Sequence, residues 1–471
     1  MIPYPSWLSA GDNSWQLTAA TLVGLMSLPG LAVLYGGIVQ KKWAVNTMMM
    51  AFSAFSAVLV VWMLWAYNMA FGHPIHFGPG FLQEFVGHPG PVTGQGSAQV
   101  QATIPLITSG PNFRFSQSTL VYFQFVFAAI TPLLFLGSVL GRMSFKAWMI
   151  FVPLWTTFVY SVNALLIWGG GFFAMKGAVD YSGGYVIHLS AGISGFVAAA
   201  VVGPRLKKDR ENTAPNNLLL VAVGAGILWL GWNGFNGGDP YFAGADASAA
   251  VVNTNLAAAA ALLTWVFMDM GSKHKRPTFL GAVNGMIVGL VGITPAAGWV
   301  NGWGAILIGV IGSFVVWFSF TKLSTKWIFA KVDDALGVVH THGVAGLLGG
   351  IMTGLFADPK MVEYYKPNFG VTGLFYGHPW QVVIQAYTGL WVIGYSALGT
   401  FVLLKLVKLI TPLRFSDADL EIGDLAVHGE QVEPSESAVR VIPAAAEYHS
   451  SEVASPGSVQ DSEIKQVSLE E

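Results

Sequence analysis

The chain has 471 residues, of which 54% are hydrophobic, 13% aromatic and 10% charged; that is too little charge to solvate a globular surface of this size, so most of the chain belongs in lipid. With no cysteine it excludes disulfides and thiolate metal sites, and its net charge of −2 and ten scattered histidines point to neither nucleic acid nor a metal cluster. No cofactor is expected.

Residues 1–16 form an outer N-terminus without Lys or Arg, and no small-residue cleavage site follows a short apolar core, so no cleaved signal peptide is expected. Apolar stretches of about 17 to 25 residues, long enough as helix to cross roughly 30 Å of hydrocarbon, then recur about eleven times. They fall near 17–39, 45–71, 118–140, 147–168, 184–203, 217–237, 250–270, 278–298, 302–321, 335–356 and 380–411. The 56 glycines suit such helices, because small residues let backbones approach where lipid gives no hydrophobic drive to associate. Residues 17–411 thus read as one membrane domain, with a Gly-, Pro- and His-rich outer loop over 72–117. The tail 412–471 lacks such runs and, beyond about 434, reads as disordered, since it cannot bury enough apolar area to offset the entropy of ordering.

Alternate loops carry 19 of the 23 basic residues, beginning with Lys41 and Lys42, then Arg142 and Lys146, then Arg205 to Arg210, and ending in the tail. Basic residues gather on the cytoplasmic side, so the N-terminus is placed outside and the C-terminus inside. A missed helix would invert every later loop, so the skew supports an odd count.

Two segments 154 residues apart share one pattern: Asp180-x2-Gly183-x4-His188-x3-Gly192-x2-Gly195 and Asp334-x2-Gly337-x4-His342-x3-Gly346-x2-Gly349. Ile130-Thr131-Pro132 likewise recurs as Ile293-Thr294-Pro295. The third helix therefore pairs with the eighth and the fifth with the tenth. A five-helix repeat lays its second copy upside down about a two-fold axis in the membrane plane, which is a transporter's architecture. The fold expected is an all-α bundle of five plus five inverted helices and one long final helix. Each histidine, eight residues or ~12 Å past the Asp taken to begin its helix, is expected near the bilayer centre beside its counterpart. An ionisable group there faces the bundle interior, a partner or a water path. A neutral pair of imidazoles holds at most one proton and can relay it. His340, two residues from His342, is read as packing; His73, His76, His88, His274, His378, His428 and His449 fall in loops or tail.

The chain resembles the ammonium transporter, methylammonium permease and Rhesus protein superfamily, within it the ammonium transporter branch, over about residues 10–432. The resemblance rests on Asp180 through Gly203-Pro-Arg205, on Pro29-Gly-Leu-Ala-Val-Leu-Tyr35-Gly-Gly and Trp168-Gly-Gly-Gly, and on Gly231-Trp-Asn-Gly-Phe-Asn-Gly and the glycine-rich run from His342. It implies a homotrimer with one pore per subunit in the plasma membrane, or the inner membrane of a bacterium, with ammonium and methylammonium as substrates. It implies that Phe127 and Phe235 form an outer gate, and that Trp168 and Phe123 form a vestibule whose ring faces attract ammonium by about 0.5 to 2 kcal/mol. Asp180 would cap the fifth helix and add negative potential below the vestibule, and Asp334 would mirror it inside. Asp239 stands where the family often has a small hydroxyl residue; it either strengthens cation capture or caps its loop. A Gly423-to-Glu430 block resembles the family's cytoplasmic regulatory segment, a possible landing point for a regulator. An apolar lumen rejects potassium, which cannot shed its charge, and passes ammonia; the proton then travels over the histidines or returns outside. The expected function is ammonium transport rather than enzymatic catalysis. The rival is an ammonium sensor with little flux, and a carbon dioxide channel is a minor option.

Overall fold

The computed structural model describes residues 5–75, 85–107, 112–273, 275–363 and 371–432. The expected disordered tail beyond 434, and His76, His274 and His449, lie outside the described residues.

Among the described residues, eleven long helical segments form one bundle: α1 Ala10–Ile38, α2 Lys41–Phe71, α3 Gln117–Val139, α4 Phe145–Met175, α5 Gly184–Val202, α6 Leu218–Gly237, α7 Ala245–Gly271, α8 Phe279–Ile293, α9 Gly302–Leu323, α10 over 339–356 and α11 Trp380–Ile410. Among the described residues nine of these are long and apolar enough to cross a membrane, and α8 is a shorter apolar helix. α1 starts at Ala10, before the apolar run, because the Ser9 hydroxyl accepts the Asp12 N–H at 3.3 Å and satisfies a first-turn donor. Pro29 falls in a wide π-turn over Met26–Gly30. Proline has no N–H to give to the ladder, and a π-bulge absorbs the disruption without ending the helix.

Helix faces meet through small residues. On α6 a Cβ at Gly224 would lie 2.5 Å from the Leu34 nitrogen and one at Gly231 2.5 Å from the Met26 Cβ, so α1 and α6 touch nearly backbone to backbone. α7 receives α8 in the same way: a Cβ at Gly289 would lie 2.5 Å from the Ala257 carbonyl oxygen.

The two copies of the repeat meet at α5 and α10. Gly192 of α5 lies against the backbone of Gly343, and Gly346 of α10 faces the Gly184 carbonyl oxygen and the Leu189 nitrogen, where a Cβ would come within 2.5 and 2.9 Å. Shifted by the 154-residue repeat, the first contact becomes the second, which is the reciprocity a two-fold axis requires. Five helices separate the copies, so their directions are opposed.

The basic loops and the C-terminal segment share one end of the bundle. Lys42 pairs with Asp209 at 3.1 Å, Lys208 pairs with Glu421, and Arg414 donates to the Pro204 carbonyl at 2.9 Å. The N-terminus joins the opposite end, where Arg114 pairs with Asp12 at 3.4 Å. Opposite ends for the two termini follow from an odd number of crossings.

Candidate functional site

Each copy of the repeat builds its half of the site in the same way. Before α5 the chain turns at Gly183, with φ at 113°, and before α10 at Gly337, with φ at 66°. Both are left-handed conformations that favour glycine. Both helices then open with a π segment, Gly184–Leu189 and Val339–Val344, which carries the histidine. The helices thus begin later than the aspartates, correcting the expectation that Asp180 and Asp334 start them eight residues before each histidine. Depth comes instead from a buried approach loop: Asp180 and Ser182 are both shielded from solvent. A buried loop must satisfy its own backbone, and the Asp180 carboxylate does this by accepting N–H groups of Gly183 at 3.2 Å, Tyr185 at 3.0 Å and Val186 at 3.0 Å. Asp334 mirrors it more weakly, accepting the Val339 N–H at 2.9 Å and leaving its other oxygen without a protein partner.

The sequence-identified aromatics and histidines join into one file of rings. Phe123 lies 4.8 Å from Phe127, Phe127 4.5 Å from Phe235, Phe235 5.8 Å from His188, and His188 5.5 Å from His342, centroid to centroid. Trp168 stands edge-on to Phe127 at 6.1 Å and is fixed by its indole N–H, which donates to the Asp180 carbonyl at 2.6 Å. Asp239 accepts the Ser182 hydroxyl, which also donates to the Phe235 carbonyl at 2.8 Å, so it ties the end of α6 to the loop before α5. Phe127, Phe235 and His188 are all buried, so the outer end of the file is shut.

Neither ring nitrogen of His188 has a protein partner, although the ring is fully buried. Leaving a buried polar group unpaired costs about 1 to 3 kcal/mol. His342 differs: its Nδ1 meets the Thr341 hydroxyl at 2.9 Å. Below it a cavity of about 600 Å³, lined among others by Tyr35, Trp232, Asp334, His340 and His342, reaches toward the exposed Arg276 at the basic end of the bundle.

Sequence reasoning missed several contributors. Trp232 stacks on His188 at 5.3 Å with 19° between planes, and its N–H donates to the Thr294 hydroxyl at 2.9 Å. The sign was its spacing, three residues before Phe235 on the same helix face. Ser182 carried no sequence sign. Tyr241 lies edge-on to Phe123 at 5.9 Å and was equally silent.

A family model described as the Ammonium Transporter Family matches residues 14–433. The chain is 51% identical over 430 residues to "Ammonium transporter 2" of Arabidopsis thaliana, covering 91% of this chain and 89% of that one. It is 49% identical over 446 residues to "Ammonium transporter 3 member 1" of Oryza sativa subsp. japonica, with 91% and 88% covered. Its fold is similar to the crystal structure of Mep2 from Saccharomyces cerevisiae, with a TM-score of 0.75 and 29% identity over 87% of this chain and 88% of that one.

Proposed function

This chain belongs to the Ammonium Transporter Family, and from that premise we propose that it transports ammonium across the plasma membrane by separating it into ammonia and a proton. Ammonium, or methylammonium, gathers against the faces of Trp168 and Phe123, with Asp239 adding negative potential. It loses a proton near the Phe127–Phe235 gate. Ammonia passes along the apolar lumen, and the proton passes over His188 and His342 with bridging water. Asp180 and Asp334 act indirectly by holding the two helix starts. Three such pores assemble as a homotrimer, whose tail is open to a cytoplasmic regulator.

The observation that carries this reading is the buried His188 imidazole, without a protein partner and 5.5 Å from His342, behind a closed aromatic pair. A cation held there permanently would need carboxylates or carbonyls around it. Two imidazoles instead suit a proton in transit.

The test is uptake of labelled methylammonium into proteoliposomes by the purified protein and by His188→Ala and His342→Ala. Saturable wild-type uptake that falls at least tenfold in either variant supports the proposal. No uptake by a folded, inserted wild type would turn the assignment to the sensor.

A further inference from the structure

His340 is the third imidazole of this region and the pair does not use it. It is nearly buried, at 3% exposure, yet it contributes to the wall of the same 600 Å³ cavity that His342 and Asp334 line. Its Nδ1 is engaged at 2.8 Å by the Ser319 hydroxyl of α9. The rings of Phe329 at 5.0 Å and Phe320 at 5.8 Å hold it from two sides. The Ser319 contact occupies Nδ1 and leaves Nε2 as the nitrogen that can exchange a proton.

Its surroundings are graded in charge. Asp334 lines the same cavity wall as His340. Asp269 and Tyr35 lie in the cavity wall, and Arg276 stands exposed at its basic end. Lys322, beside Ser319, is drawn away over the Trp317 ring at 5.6 Å, and Lys331, beside Phe329, is exposed. The carboxylates of the cavity wall can stabilise a transient imidazolium, and the opening toward the basic end gives ammonium a way out.

We propose that His340 is a third, cytoplasm-facing proton station that returns the proton to ammonia on the inner side; this rests on the relay reading of His188 and His342. The imidazolium of His342 gives its Nε2 proton through cavity water to the neutral Nε2 of His340. The N–H bond formed there then breaks as the lone pair of ammonia takes the proton. Ammonium leaves into the cavity, and both histidines end neutral.

The test compares wild type, His340→Gln and Ser319→Ala by recording current and labelled methylammonium uptake in the same cells while the cytosolic pH is set. The expected result is a fall of at least fivefold in charge moved per methylammonium in His340→Gln. In Ser319→Ala, where the ring remains but Nδ1 loses its partner, the expected result is an altered cytosolic pH dependence of that ratio. Wild-type current with an unchanged ratio and pH dependence in both inserted variants would overturn the station while leaving the pair intact. Wild-type uptake without current would overturn both readings together.

Discussion

The indole of Trp232 lies nearly parallel to the imidazole of His188, 5.3 Å away, and is anchored to Thr294. The stack fixes the ring plane of His188, whose own nitrogens hold nothing in the protein. Trp232→Leu removes the aromatic face, and methylammonium uptake is expected to fall about tenfold, the usual scale for losing ~1.4 kcal/mol of positioning. Trp232→Phe keeps a stacking face and is expected to retain most of it. Equal loss in both would move the role from the stack to the indole N–H.

At Gly346 the contact between α5 and α10 leaves no space for a side chain. Gly346→Val would drive carbon into the Gly184 carbonyl oxygen and the Leu189 nitrogen, and overpacking of this kind costs about 1 to 3 kcal/mol or more. A lowered unfolding temperature in detergent is expected. Gly226→Ala, where a Cβ meets nothing within 4 Å, is the matched control and is expected to melt with the wild type.

Asp180 and Asp334 are mirror positions with unequal loads. Asp180 holds three backbone N–H groups and Asp334 one. Each buried donor left unpaired costs about 1 to 3 kcal/mol, so Asp180→Ala is expected to destabilise the protein more than Asp334→Ala. Melting curves of the two variants give the order directly.

Asp424, beyond the last helix, accepts the N–H groups of Val45 at 2.7 Å and Asn46 at 2.9 Å, and His428 meets the Asn46 side chain at 2.9 Å. Burial raises the Asp424 carboxyl to about 6, against the backbone hydrogen bonds that lower it. Its contribution to docking is therefore fully present below its ordinary carboxyl range and is lost as pH rises through about 6. Burial pushes His428 down, against Glu430, so its contribution is present above the ordinary histidine value and is lost as pH falls through the lowered one. The two oppose each other. Asp424→Asn removes the carboxyl's share, so in limited proteolysis its tail is expected to be cut faster as the medium is acidified. An unchanged pH profile would contradict that division.

Asp239→Ala separates capture from capping. If its negative potential gathers ammonium, the apparent affinity for methylammonium falls several-fold with little change in maximal uptake. Unchanged affinity with lower melting would leave Asp239 as the tie to Ser182.

Much of this was legible in the sequence, for particular reasons. Eleven crossings follow from runs that must satisfy the backbone within lipid, and the 154-residue repeat paired Gly192 with Gly346 and His188 with His342 because the symmetric contact needs the same small residue twice. The helix starts were less legible. Gly184 and Val339 open π segments only because buried carboxylates supply acceptors from a distance, and no local propensity records that. Trp232 was hidden because a tryptophan in an apolar run reads as an interfacial anchor; only the fold lays it on an imidazole.

The central claim is that ammonium crosses as ammonia while its proton follows over His188 and His342. Current and labelled methylammonium uptake recorded in the same cells test it most directly. The account predicts about one charge moved per methylammonium taken up; saturable uptake with no current would contradict it.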